Sequence, residues 1–130
     1  MKPSDDCRVD YVSINVSSIE NAEKYYAGVL GMKVFDRKTH ENGDISIQVG
    51  YEPNQTRLEL YQRHDKVNVP INHAAAFGRI AIGTKSGPQH IYEKVTASKD
   101  VVQHGPIKLD TPGKATVEVV ILQDRDGYVT

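Results

Sequence analysis

The chain has 130 residues, enough for one compact domain with a core of its own. Its 16 Lys and Arg nearly balance 17 Asp and Glu, with no basic stripe or tail, so neither nucleic acid nor an anionic membrane surface is an expected partner. A single cysteine excludes an internal disulfide, the longest strongly apolar run (Val119 to Leu122) is far too short to span a bilayer, and the first ten residues lack the apolar stretch of a secretory signal, so a reducing, cytoplasmic setting is expected, with mitochondria as the alternative.

Residues 1–7 read as a disordered lead-in. Cys7 within it is a free thiol with no catalytic setting, because Asp5 and Asp6 oppose the one neighbouring cation, Arg8. A first strand is expected over 8–16. Val12, Ile14 and Val16 share its packed face, and Tyr11, Ser13 and Asn15 share the other. Ser17 or Ser18 then caps a helix running to Leu30, whose stripe Ile19, Ala22, Tyr26 and Val29 recurs at helical spacing. Gly31 ends the helix in the left-handed conformation.

Three strands follow. The first covers Met32 to Lys38, and Glu41-Asn42-Gly43-Asp44 turns the chain. Ile45, Ile47 and Val49 alternate in the second, and Pro53-Asn54 marks the next turn. The third covers Arg57 to Arg63, with Leu58 and Leu60 on one face and Arg57, Glu59 and Tyr61 on the other. The first module is therefore β-α-β-β-β, about 8–63. A connector at 64–75 leads to a second module at about 76–130.

In the second module, Phe77 to Gly83 is expected as a strand in which Arg79 is the one charge, on the face not needed for packing. A helix starts at Ser86-Gly87-Pro88 with Ile91 and Val95 inward. A short strand is expected at Ile107 to Leu109, then a type II turn at Asp110-Thr111-Pro112-Gly113. Ala115 to Leu122 is apolar on nearly both faces, so a central strand is expected there. Tyr128 to Thr130 begins a last strand that the chain barely enters. Tyr11-Val12-Ser13-Ile14 and Arg79-Ile80-Ala81-Ile82 match at an offset of 68 residues, which also carries Ser18 onto Ser86. The order of elements thus repeats. The expected fold is α+β: paired β-α-β-β-β modules making one domain with a curved, roughly eight-stranded mixed sheet, its last strand truncated.

On each strand the apolar parity packs under a helix and the other parity faces a cavity. Tyr11, Ser13, Glu59, Tyr61 and Arg79 fall on that second parity, and His73 lies six residues before Arg79, close enough to reach the cavity mouth. His40, His64 and His90 are scattered in turns or on an exposed helix face and are expected to be solvated, and His104 lies near an edge. No two histidines have ligand spacing, and no nucleophile elbow, P-loop or dinucleotide fingerprint is present.

Several stretches carry a resemblance. Tyr25-Tyr26-Ala27-Gly28-Val29-Leu30-Gly31-Met32, Leu58-Glu59-Leu60, Phe77-Gly78-Arg79-Ile80-Ala81-Ile82 and Asp124-Arg125-Asp126-Gly127-Tyr128 resemble motifs of the glyoxalase I and vicinal-oxygen-chelate superfamily. Within it, His73 to Ala81 and Leu109 to Val117, followed by Val119-Val120-Ile121-Leu122, resemble the C-terminal half of the glyoxalase-domain-containing protein four group. The resemblance implies a divalent ion, Zn²⁺ or Ni²⁺, held by four side chains from the first and last strands of the two modules. The ion polarises a hemithioacetal while a ligand glutamate moves the proton. Carried over one at a time, the first ligand position falls on Tyr11, the second on Glu59, the third on Arg79 and the fourth immediately after Thr130.

Only Glu59 is of the ligand type. A guanidinium has donors alone and cannot take a cation, and one carboxylate does not hold a divalent ion without further convergent ligands. Two readings of Arg79 follow: an ion pair with Glu59 that closes the old site, or an anion site for a carboxylate or phosphate. The expectation is a ligand-binding or interaction module with a degenerate metal site, no cofactor and no assigned catalytic residue. It would take a small anionic or carbonyl ligand and stand beside a second glyoxalase-like domain or a second copy. The alternative is a lactoylglutathione lyase-type enzyme completed by another chain or domain.

Overall fold

The computed structural model describes residues 7–73, 77–110, 112–113 and 115–130. The expected lead-in falls outside these residues except for Cys7, which is exposed and free. The chain forms two compact units, Met1–Ile71 and Asn72–Thr130, divided inside the expected connector.

In the first unit, strand β1 (Tyr11–Asn15) is followed by helix α1 (Ile19–Glu23), a π-helical continuation (Lys24–Val29), and strands β2 (Lys33–Thr39), β3 (Ile45–Gly50) and β4 (Arg57–Gln62). The sheet order is β1-β4-β3-β2. β1 runs parallel to β4, with Tyr11 opposite Arg57, Ser13 opposite Glu59 and Asn15 opposite Tyr61. β3 is antiparallel to both its neighbours and sets Gln48 opposite Glu59 and Ser46 opposite Tyr61.

The expected parity holds. Ile14, Val16, Ile47, Val49, Leu58 and Leu60 are buried with the helix residues Ile19, Ala22, Tyr26 and Val29. Val12 departs from it at 54% exposed, because it lies on β1, which among the described residues is the edge strand of its sheet. Ser18 caps α1 by accepting the Asn21 amide at 3.2 Å, and Gly31 takes φ +76°, both as expected.

The π turn is the feature that hydrophobic spacing does not show. The Leu30 amide donates to the Tyr25 carbonyl at 2.9 Å, five residues back. Consecutive residues of an α-helix stand about 100° apart, so Tyr25 and Tyr26 could not both face the sheet squarely. The wider turn lets both be buried, edge to face at 5.2 Å between ring centroids.

In the second unit, helix α2 (Gln89–Ala97) precedes strands β5 (Val101–Leu109) and β6 (Val117–Gln123), which pair antiparallel in a two-stranded sheet. Val95 is fully buried beneath the helix, as its spacing predicts. Gly113 has φ +77°, as the expected turn requires, although Thr111 of that turn lies outside the described residues.

Three expectations are corrected here. β5 spans nine residues rather than the three expected at 107–109, because the polar Gln103, His104 and Gly105 hide its period. β6 is not the centre of a wide sheet. Among the described residues it has β5 on one side and, on the other, a bridge from Gln123 to Val129.

Among the described residues, 77–83 form no strand ladder; the Ile80 amide donates to the Val129 carbonyl, at 2.9 Å. The difference lies in the partner. In the first unit β1 lies along six-residue β4, whereas here the described bonds are Ile80 to Val129 and, on the other side of that segment, Thr130 to Leu122. The order of neighbours still repeats: 77–83, Val129, β6, β5. Among the described residues the α+β chain thus has six strands, where roughly eight were expected.

Candidate functional site

The polar face of the first sheet collects four of the six expected site residues. Tyr11 and Ser13 come from β1, Glu59 and Tyr61 from β4, and the parallel register sets them side by side. Ser13 Oγ donates to Glu59 Oε1 at 2.8 Å. Tyr11 is 48% exposed.

The Tyr61 hydroxyl donates to Asp44 Oδ2 at 2.6 Å. Asp44 is a buried hub that the sequence did not single out. Besides Tyr61 it takes the His64 backbone amide at 2.9 Å, His64 Nδ1 at 2.7 Å and Asn42 Nδ2 at 3.1 Å. The Tyr61 hydroxyl, the His64 amide and the His64 ring together hold the Asp44 carboxyl far below the ordinary carboxylate range. The same bond, with burial second, pushes the Tyr61 phenol above its ordinary value. Tyr61 is therefore committed as a donor and is no proton acceptor at neutral pH.

His64 is thus tied to Asp44, and His40 reaches Ser46 Oγ at 3.0 Å and lies 5.3 Å from the Tyr61 ring; neither is merely solvated, as had been expected. Both sit at the ends of the β2–β3 hairpin and β4, where the turn folds them back onto the sheet. The turn composition Asn42-Gly43-Asp44 announced a bend but not what its aspartate would hold.

At the other end of the same face, Arg57 is more tightly placed than its sequence setting suggested. Its guanidinium lies 4.6 Å from the centroid of the Phe35 ring, and Nη1 donates to Gln48 Oε1 at 3.2 Å. A bulge between Val34 and Asp36 accompanies Phe35, and Gly50 opposite leaves room for the ring. Arg57, Tyr11, Gln48, Arg8 and Asp10 line an open cavity of about 270 Å³. The signal for Arg57 was its shared parity with Glu59.

His73 and Arg79 belong to the second unit, so the first sheet brings together Tyr11, Ser13, Glu59 and Tyr61 alone. Arg79 is exposed. His73 Nε2 donates to the Asp126 carbonyl at 2.7 Å, and its ring packs against Tyr128 and Phe77 at centroid distances of 4.5 and 6.4 Å. That contact orders the Asp124-Arg125-Asp126-Gly127 turn, where buried Asp124 accepts the Asp126 and Tyr128 amides.

Among the described residues no three His, Cys, Asp or Glu side chains converge as a cation cage would require. The donor set at the positions carried over in sequence consists of a phenol, a carboxylate and a guanidinium. The Glu59 carboxylate accepts Ser13 Oγ, and a guanidinium has donors alone. No helix among the described residues is long and apolar enough to cross a membrane.

The family model described as "glyoxalase domain-containing protein 4-like, C-terminal domain" matches residues 18–129. The mouse glyoxalase domain-containing protein 4 is 35% identical over 130 residues, which is 97% of this chain and 40% of that protein. "Glyoxalase 1" of Caenorhabditis elegans is 31% identical over 118 residues, 90% of this chain and 39% of its own length. The chain therefore spans about two-fifths of these relatives. The trypanothione-dependent glyoxalase I of Leishmania major superposes with a TM-score of 0.77 at 25% identity, covering 95% of this chain and 83% of that one. The chain belongs to the family of glyoxalase-domain-containing protein 4-like C-terminal domains and has the glyoxalase, or vicinal-oxygen-chelate, fold.

Proposed function

We propose that this domain is a ligand-binding module of the glyoxalase superfamily whose metal site has been lost. Its own chain would take a small anionic or carbonyl ligand on the polar face of the sheet. One observation carries the reading: at three positions where the family places metal ligands stand Tyr11, Glu59 and Arg79, and the one carboxylate is held by the Ser13 hydroxyl. A face with a phenol, hydroxyls and arginines has hydrogen-bond donors to offer, and donors recognise oxygen-rich ligands rather than cations.

In this reading Tyr11 orients the ligand by donation, and Glu59 is a structural acceptor for Ser13. The domain works beside a second glyoxalase-like domain or a second copy of itself, in the cytoplasm. Chelator-free protein supplied with Zn²⁺ or Ni²⁺ and then desalted is expected to retain well under one ion per chain by elemental analysis. Stoichiometric metal that disappears in Glu59→Ala sinks the proposal.

A second reading is favoured by length. The chain covers about 40% of the mouse relative, so a larger protein could supply the remaining ligands and make a lactoylglutathione lyase-type enzyme. Turnover of the methylglyoxal–glutathione hemithioacetal with added Zn²⁺ or Ni²⁺ supports that reading, and its absence in the full assembly removes it.

A further inference from the structure

We infer that the cavity at the Arg57 end of the first sheet is a binding site for a small organic monocarboxylate. The inference rests on the ligand-binding reading above and places the ligand within it. The cavity measures about 270 Å³ and is lined by Arg8, Asp10, Tyr11, Gln48 and Arg57. That is close to the lower end of small-molecule sites, roughly 300 Å³, so the occupant is small.

The lining is built for an anion. Arg57 is held from three sides: over the Phe35 ring, on Gln48 Oε1, and more loosely on the Pro53 carbonyl at 3.4 Å. No carboxylate lies within ion-pair distance of it among the described residues, so its charge is not matched from within that set. A guanidinium fixed before the ligand arrives loses little freedom on binding, and its fork suits a carboxylate.

Gln48 spends its oxygen on Arg57, which leaves its amide N–H groups to donate. The Tyr11 phenol is a further donor on the lining. Arg8 is paired with Asp10 at 2.9 Å, so these two charges cancel and the lining carries a net charge of one positive. A monoanion balances it; a dianionic phosphate does not. Glu59, two residues along the same face and bonded to Ser13, bounds the site on that side with a like charge. The half-exposed Tyr11 ring on the lining adds an apolar surface that favours a ligand with a flat or apolar body.

The test is an NMR titration of the full chain with benzoate, benzamide and methyl phosphate. Benzoate is expected to shift the Arg57 side-chain N–H, the Gln48 side-chain amide and the Tyr11 backbone amide. Benzamide and methyl phosphate are expected to bind about 10-fold more weakly or worse. Arg57→Gln should weaken benzoate at least about 10-fold, and Arg57→Lys should recover only part of it, because the charge returns without the fork. Gln48→Leu serves as a second variant if Arg57→Gln does not fold. Equal binding of benzamide, tighter binding of methyl phosphate, or unchanged benzoate binding in folded Arg57→Gln overturns the assignment. Benzoate shifts confined to Ser13, Glu59 and Tyr61 overturn this site but leave the ligand-binding reading standing. Shifts nowhere on the face remove support from both.

Discussion

The two units run through the same order of elements with unequal completeness. In the first, the parallel pair β1–β4 joins five facing residues and closes a four-stranded sheet. In the second, among the described residues, the equivalent join is a bond from Ile80 to Val129, and the regular sheet has two strands. The burial follows the ladders. Tyr25, Tyr26, Ile47, Leu60, Val16 and Val49 supply most of the fully buried large side chains, and the second unit contributes Val95. Among the described residues, burial is thus most extensive where more strands are paired.

The contrast is broken most directly in the cores. Leu60, on β4, is completely buried, and Leu122, on β6, is nearly so. Leu60→Ala is expected to cost about 3–5 kcal/mol in urea unfolding, at the upper part of the range for such truncations. Leu122→Ala is expected to fall near 2 kcal/mol, because a two-stranded sheet can collapse onto the void. Equal losses would mean that the second unit packs as tightly as the first. Hydrogen exchange gives the same comparison without mutation. The β3 and β4 amides should be the slowest of the chain, and of residues 78–83 only Ile80 should show protection.

A smaller effect tests how the second unit holds its last turn. Gly127 has φ +88°, and a Cβ there would stand 2.7 Å from His73 Cε1. Gly127→Ala should cost about 2–3 kcal/mol, from the left-handed backbone and the clash together. In a His73→Ala background the same change should cost only the backbone share, about 1–2 kcal/mol. An unchanged cost in that background would show that His73 does not brace the turn.

Smaller still is the difference at the helix starts. Ser18 caps α1 with its side chain, whereas Pro88 at the start of α2 makes no such bond. Ser18→Ala should cost about 1 kcal/mol by thermal unfolding. A loss below a few tenths would place the stability of α1 in its buried face alone.

These contrasts also mark what the sequence could tell. Periodicity placed β1, α1, β3 and β4 and their inward faces, because alternation and helical spacing report burial directly. It also put Tyr11, Ser13, Glu59 and Tyr61 on one face. It extended Phe77 to Gly83 into a strand, because alternation describes a segment's own side chains and not the backbone bonds it makes. The π turn escaped because the stripe Ile19, Ala22, Tyr26 and Val29 fits an α-helix; only the adjacent burial of Tyr25 demands more. Asp44 escaped because its importance lies in residues 17 and 20 positions away, Tyr61 and His64, that the register delivers to it.

The last contrast is one of slope with pH. In the first unit Asp44 has its pKa held well down, by the Tyr61 hydroxyl first and His64 next. In the second, burial works to raise Asp100, and the hydrogen bonds from Arg125 and Ser98 outweigh it, so this pKa also falls. A carboxyl whose folded pKa is depressed takes up a proton on unfolding between its folded and unfolded values. Its contribution is therefore complete above about pH 4, and it is lost as the pH falls through the folded value.

Asp44 is held the further down of the two, so its loss should extend to the more acid pH. Urea midpoints measured from pH 7 to pH 2.5 should be flat at the upper end and fall below about pH 4. Asp44→Asn should lower the midpoint at pH 7 and flatten the acid limb, because the group that binds the proton on unfolding is gone. Arg125→Ala, which frees Asp100, should flatten it less. An acid limb as steep in Asp44→Asn as in the parent chain would mean that the Tyr61–Asp44–His64 cluster does not anchor the first unit, and that the better-joined sheet owes its stability to its apolar face alone.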